Sequence, residues 1–193
     1  MALHWTNIAA PNSRQYVCGY CGTSLASEKG WNATHSSDGR PAFIFICHQC
    51  TKPTFFDADN SQTPGVVYGN PVKDITDDSV EKLYGEARRT TSAGAYTAAV
   101  LCCRKLLMHI AVAKGAKAGE NFVSYVQFLT DNHFVPPDAK DWVDHIRKKG
   151  NEANHEIAIM NKDDAEELIS FLEMLLKVIF EFPAAVKRRL GQP

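Results

Sequence analysis

The pattern of apolar and polar positions changes character about a third of the way along the chain. Short runs of strand-like composition, residues 14–17 and 42–46, occupy the first part, which is rich in aromatic residues, Gly and Ser. From Asp77 onward, apolar residues recur at helical spacing, and Gly and Pro mark the breaks between segments. The pattern predicts an α+β fold by segregation, in which a small β module precedes an all-α helical bundle.

The second part predicts five helices joined by short turns. Asp77 or Asp78 suits the N-cap of the first helix, and Pro137 suits the first turn of the fourth. An acidic opening followed by an apolar face marks the fifth helix. The expected helices cover about 78–91, 92 or 95 to 114, 121–132, 137–157, and a last one that begins in the NKDDAEE stretch.

Turn-forming clusters of Pro and Gly without helical periodicity separate the two parts. We therefore predict a β module at residues 1–56, a linker at 57–75 and a helical bundle at 76–193. Lys and Arg number 21 and Asp and Glu 22, so no global positive field draws the chain to nucleic acid or to an anionic membrane. A basic leader and a long uninterrupted apolar run are both missing, which predicts a cytoplasmic protein without a membrane partner.

Four cysteines in the first part give the strongest chemical signal. Cys18, Cys21, Cys47 and Cys50 follow the spacing C-x2-C-x25-C-x2-C. Each pair places two sulfurs on one tight turn, and two such knuckles supply the four soft ligands that tetrahedral zinc prefers. We predict a zinc ribbon with one structural Zn²⁺, because four thiolates leave no open coordination position and metal binding supplies folding energy to a small module.

Other interpretations of the cysteines are less favourable. Two disulfides require an oxidising compartment, and a redox dithiol needs only one pair. His48 could replace one cysteine as a ligand, but an exposed knuckle side chain is the simpler interpretation, and His35 is expected in a hairpin loop rather than at the metal. Cys102 and Cys103 lie in an apolar helical stretch and are interpreted as small core residues.

A second candidate site lies on the predicted fourth helix. Arg147, Asn151 and His155 are spaced i, i+4 and i+8, so they form one polar stripe. Arg could hold a phosphodiester, Asn could orient a hydroxyl and His could move a proton, which suffices for metal-independent RNA cleavage through the 2′-hydroxyl. The alternative is structural, with the same side chains bonded to neighbouring helices. Lys148 and Lys149 extend the positive charge and could contact a polyanion, or form a solvated helix face.

Three stretches of the second part resemble a known family. SAGAYTAAVLCCRKLL, IRKKGNEANH and NKDDAEELISFLEMLLKVIF are similar to the domain-of-unknown-function 4145 family, a branch of the HEPN helical superfamily, over about residues 78–182. The most specific element is R-x-x-G-N-x-x-x-H, here Arg147, Gly150, Asn151 and His155, supported by Arg104 where the family usually carries an arginine. The resemblance implies a dimeric bundle, a role for Arg104 in nucleic-acid binding, ribonuclease activity in many members, and work in restriction, toxin–antitoxin or phage-defence systems.

One departure from the family pattern affects the functional prediction. Seven residues separate Arg147 from His155, whereas active HEPN nucleases usually have four to six, and Lys148 stands where a smaller polar residue or a histidine is expected. Together with the neutral charge, this favours a non-catalytic adaptor that binds nucleic acid or a protein of a defence system. A metal-independent endoribonuclease and a purely structural homodimeric module stay open as alternatives.

Overall fold

The strands and helices of the computed structural model fall into two separate units. The structure describes residues 3–5, 11–136, 142–146 and 159–191. The first unit is Met1–Val67 together with Ser92–Gly94, and it carries the strands; the second is Tyr68–Thr91 together with Ala95–Pro193, and it carries the helices. The predicted α+β fold by segregation is thereby confirmed. The segment 57–75, predicted as a linker, includes a short strand and continues into the second unit.

The described residues of the β unit form two antiparallel sheets. The strands are β1 Leu3–Trp5, β2 Arg14–Val17, β3 Ser24–Ser27, β4 Gly30–His35, β5 Pro41–Ile46, β6 Pro53–Phe56 and β7 Gln62–Thr63. The larger sheet has five strands in the order β1-β4-β5-β6-β7, and the smaller one is the hairpin of β2 and β3. The predicted runs 14–17 and 42–46 both lie in strands.

A small aromatic core holds the β unit together beside the cysteines. Tyr16, Phe45 and Phe56 are buried and pack against one another, with the Tyr16 and Phe56 ring centroids 5.3 Å apart in an edge-to-face arrangement. Leu25 of the small hairpin completes the cluster. The core therefore has few large apolar residues, and a core this small leaves the module in need of a further source of stability.

The helical unit follows the sequence pattern closely where the structure describes it. The first three predicted helices and the start of the fifth are confirmed within a residue or two, and residues 142–146 of the fourth are helical. The helices whose bounds lie within the described residues are α1 Asp78–Ser92, α2 Tyr96–Ala113, α3 Phe122–Asp131, α4 Lys162–Leu176 and α5 Phe182–Arg189, with a π-helical segment at Lys177–Glu181 between the last two. The helix α4 is the predicted fifth helix.

Local sequence explains where two of these helices begin. Asp77 accepts hydrogen bonds from the backbone N–H groups of Ser79 and Val80 at 2.8 and 3.2 Å, so it caps α1 as predicted. At α4, Asn161 and Asp164 form a reciprocal capping box. Both caps satisfy backbone donors that the first helical turn leaves without partners.

The helix α2 lies at the centre of the helical unit. By length and composition α2 could cross a membrane, but many of its residues, including Leu106, Leu107 and Ile110, lie in the core and contact α3 and α4. Burial of this kind is typical of a helix in the core of a folded unit. Cys103 is fully buried and Cys102 half-buried, in agreement with their interpretation as packing residues.

Candidate metal centre

Two matching turns carry the four cysteines of the β unit. In the first, the backbone N–H of Gly22 donates to the carbonyl of Cys18 at 2.8 Å, and in the second the N–H of Thr51 donates to the carbonyl of Cys47 at 2.9 Å. Gly22 and Thr51 each lie four residues after the first cysteine of their pair, and both have positive φ, 71° and 59°. The repeated C-x-x-C spacing thus produces two knuckles of the same backbone shape.

Strands place the two knuckles face to face. The first knuckle connects β2 to β3, and the second connects β5 to β6. Gly19 lies close to the backbone that follows β7, where an added Cβ would come within 2.3 Å of the carbonyl oxygen of Gly65. Only glycine fits at this position, so the close approach accounts for the residue type.

The four sulfurs have the spacing of one metal site. All four Sγ atoms lie within 4.8 Å of one another, with Cys18 and Cys50 3.7 Å apart and Cys21 and Cys47 3.8 Å apart. A tetrahedral zinc ion with Zn–S bonds of about 2.3 Å requires S···S separations of about 3.8 Å. Disulfides would require about 2.05 Å, and all six cysteines are free. The cluster can hold a metal ion, and its donor set and spacing fit zinc.

The thiols of the cluster differ in how readily they lose a proton. Hydrogen bonds from the side chain and backbone of Thr23 lower the pKa of Cys21 to about 6. The backbone N–H of Lys52 lowers the pKa of Cys50, but burial and hydrogen bonds with the other thiols outweigh it and raise the value to about 12. Binding of a metal by all four thiolates would displace the proton of Cys50.

One aromatic and one basic side chain meet beside the knuckles. The ammonium of Lys52 is 4.9 Å from the ring centroid of Tyr20, which joins the first knuckle to the chain after the second. Tyr20 is 46% exposed, so this pair lies at the surface. Four thiolates with one divalent metal would carry two net negative charges, and Lys52 partly offsets them.

Neither histidine considered beside the cysteines belongs to the metal group. His48 is exposed and lies outside the cluster of sulfurs, as expected. His35 differs from its expected loop position, because it is the last residue of β4 and is buried. Its Nε2 lies 2.7 Å from Oδ1 of Asp57. The pair joins residues far apart in sequence because β4, β5 and β6 are antiparallel neighbours.

Arg104 is the predicted nucleic-acid contact that the structure describes. It lies on α2 and is only 4% exposed, with its guanidinium carbon 4.4 Å from the ring centroid of Phe122 at the start of α3. Its Nη1 has no hydrogen-bond partner in the described part of the chain. Burial lowers the pKa of Arg104. Arg104 is therefore a buried cation, whereas a surface contact to phosphate requires an exposed side chain.

Comparison with known proteins identifies the helical unit. Residues 85–190, more than half of the chain, match the family described as Domain of unknown function (DUF4145). The chain belongs to the DUF4145 family. No curated protein and no solved structure matches it. The DUF4145 region takes in the second half of α1 and all of α2 to α5, and the cysteine cluster lies before it.

The predicted stripe of the DUF4145 region lies outside the described residues. This holds for Arg147, Asn151 and His155, and equally for Lys148 and Lys149. Their roles, and membership of the wider HEPN superfamily, stay predictions from the sequence. The DUF4145 match itself confirms the family resemblance and names no activity.

Proposed function

We propose that this protein is a non-catalytic adaptor that is stabilised by one structural Zn²⁺ and binds a protein partner. The observation that carries the proposal is the closed set of four cysteine sulfurs within 4.8 Å of one another. A metal ion held by all four thiolates has no open position for water or substrate. The cluster would therefore fold and stiffen the β unit and take no part in catalysis.

Charge favours a protein over a nucleic acid as the partner. The chain carries a net charge of -1, and residues 1–56 contain four basic and two acidic side chains. Bound Zn²⁺ with four thiolates adds two negative charges to that module. Arg104, the described member of the predicted nucleic-acid contacts, is buried. The described residues thus form only a weak positively charged surface for phosphates.

The proposed adaptor acts as a homodimer in a restriction or phage-defence system. The resemblance of the helical region to HEPN proteins supports a homodimer that works beside a restriction or phage-defence system. A metal-independent endoribonuclease that uses Arg147, Asn151 and His155 is the second candidate. The R-x-x-G-N-x-x-x-H pattern that these residues follow supports this second candidate.

RNA cleavage separates the two candidates. Purified, zinc-loaded protein is incubated with total RNA in EDTA, next to a His155→Ala variant with the same zinc content. The adaptor proposal predicts intact RNA in both samples, because seven residues separate Arg147 from His155 where active HEPN nucleases usually have four to six. Cleavage by the parent protein that His155→Ala abolishes would overturn the proposal and establish the ribonuclease.

A further inference from the structure

A cavity of about 480 Å³ opens on the helical unit where α4 ends. The loop at residues 68–70 forms one wall, and α4 and the π-helical segment form the floor. Both polar and apolar side chains line the cavity. The lining includes Tyr68, Asn70, Ser170, Met174, Lys177 and Phe182.

The π-helical segment gives this cavity its apolar end. Pro183 has no backbone N–H, and its ring would collide with the carbonyl of Ile179 in a regular α-helix. The helix widens instead, and the N–H of Phe182 donates to the carbonyl of Lys177, five residues back. Residues five apart lie about 140° apart around an α-helix. The wider turn brings Lys177 and Phe182 to the same side, where both line the cavity.

Hydrogen bonds hold the opposite wall of the cavity in place. The carboxylate of Glu173 accepts from the backbone N–H of Asn70 at 2.7 Å and from its side-chain amide at 3.1 Å. Lys177 donates to the same carboxylate at 2.5 Å. The guanidinium of Arg88 donates to the carbonyl of Gly69 at 2.7 Å. The wall is thus fixed before any ligand binds, which reduces the entropy cost of binding.

An exposed apolar stripe leads away from the cavity along α5. Phe182, Val186 and Leu190 follow at i, i+4 and i+8 and are 54%, 54% and 65% exposed. Phe182 belongs both to the cavity and to the stripe, so the two form one continuous surface. Apolar side chains that share one exposed face of a surface helix indicate a binding surface.

Positive charge borders the stripe. The last turn of α5 contains Lys187, Arg188 and Arg189, and the helix contains no acidic residue. Arg188 is bonded to Asp74 at 2.8 Å. Lys187 and Arg189 are exposed, and no ion pair to them occurs among the residues that the structure describes. Two cations are therefore available to a ligand that covers the stripe.

We propose that the cavity and the α5 stripe bind an acidic peptide segment of a partner protein, with one aromatic or long aliphatic side chain inserted beside Met174 and Phe182. Aspartate or glutamate residues of the segment pair with Lys187 and Arg189. The inference rests on the proposed adaptor function and names the surface and the chemistry of its partner. It corresponds to the recognition of a peptide by an apolar anchor flanked by complementary charges.

Other occupants fit this surface less well. A second copy of the chain carries the same basic residues and no acidic residue on α5, so an α5–α5 contact would offer Lys187 and Arg189 no partner of opposite charge. A lipid surface is flat and would leave the polar wall of the cavity unused. RNA would gain little from Val186 and Leu190, since bases stack on aromatic rings.

Selection from a displayed library of random peptides tests the proposal on the zinc-loaded, full-length protein. Enriched peptides are expected to combine an aromatic or leucine anchor with several acidic residues. The strongest peptide is then synthesised with a fluorescent label, and its affinity is measured by anisotropy. Phe182→Glu is expected to weaken binding about tenfold or more. Lys187→Glu combined with Arg189→Glu is expected to weaken it about tenfold, with less effect at high salt.

Matched variants keep the test decisive. Leu101→Glu on α2 is the control, because Leu101 is 48% exposed, and it should leave the affinity unchanged. Val186→Glu serves as a second stripe variant, and far-UV circular dichroism confirms that each variant is folded. Failure to enrich any acidic peptide, or an affinity that the stripe variants do not change, would overturn the proposal.

Further measurements distinguish the alternative occupants of the surface from one another and from a failure of the adaptor function. Binding to phosphatidylserine vesicles or to oligouridine that Phe182→Glu abolishes, without peptide binding, would assign the surface to a membrane or to RNA and overturn the proposal. Self-association in sedimentation that Phe182→Glu abolishes would assign it to a second copy. If RNA stays intact but no peptide binds, this inference alone fails, whereas RNA cleavage refutes the adaptor function itself.

Discussion

Replacing Cys47 by serine is expected to remove the bound metal and unfold the β unit. Cys47 is fully buried and contributes one of the four sulfurs. A structural zinc supplies about 10–16 kcal/mol of apparent binding energy in small modules, and the few large apolar residues of this core cannot replace it. The helical unit should keep its structure, because its core cluster is separate from that of the β unit.

Metal content and residue-level structure check this result together. Mass spectrometry of the metal should find one equivalent of zinc in the parent protein and a substoichiometric amount in Cys47→Ser. Amide NMR signals of the β unit should collapse to unfolded positions while helical signals persist. Cys102→Ser is the control, since this half-buried cysteine lies outside the cluster. A Cys47→Ser protein that keeps the dispersed β signals without metal would contradict the structural role.

Replacing Phe171 by alanine is expected to lower the free energy of unfolding of the helical unit by about 3–5 kcal/mol. Phe171 on α4 is fully buried, and its ring centroid lies 5.1 Å from that of Trp142 in an edge-to-face contact. The substitution removes this contact and leaves a cavity at the centre of the bundle. Urea denaturation of the zinc-loaded protein, followed by circular dichroism of the helices, measures the change.

Phe182→Ala provides the control for this prediction. Phe182 begins α5, which continues from α4 through the π-helical segment. Its side chain is 54% exposed, so its loss should change the free energy of unfolding by about 0.5 kcal/mol or less. Equal destabilisation by the two substitutions would show that Phe171 does not occupy the core. The comparison thus tests whether Phe171 of α4 is buried while Phe182 of α5 lies at the surface.

Local signals in the sequence account for the features that could be predicted. The C-x-x-C pairs fix knuckle geometry within a few residues, so the metal group of Cys18, Cys21, Cys47 and Cys50 required no knowledge of the fold. Helix starts were predictable for the same reason, because a cap such as Asp77 acts on residues two or three positions away. The family resemblance likewise depended on contiguous stretches, and the DUF4145 match confirms it.

Features that depend on tertiary placement could not be predicted in this way. The pairing of His35 with Asp57 depends on the order of β4, β5 and β6, which periodicity does not show. Arg104 occurs in a helical stretch with exposed neighbours such as Lys105, and only packing against α3 shows that it is buried. Pro183 indicates a break in the helix, yet the chain continues through a π-type turn because widening the helix relieves the clash.

We expect the four thiolates to bind one zinc ion and to leave no coordination position open for chemistry. X-ray absorption at the zinc edge, measured on the purified full-length protein, tests it most directly. The expected spectrum shows one zinc per chain surrounded by four sulfur atoms at about 2.3 Å and no oxygen or nitrogen ligand. A first shell with fewer sulfur atoms and a bound water or imidazole would contradict it, because the metal would then have a position available for catalysis.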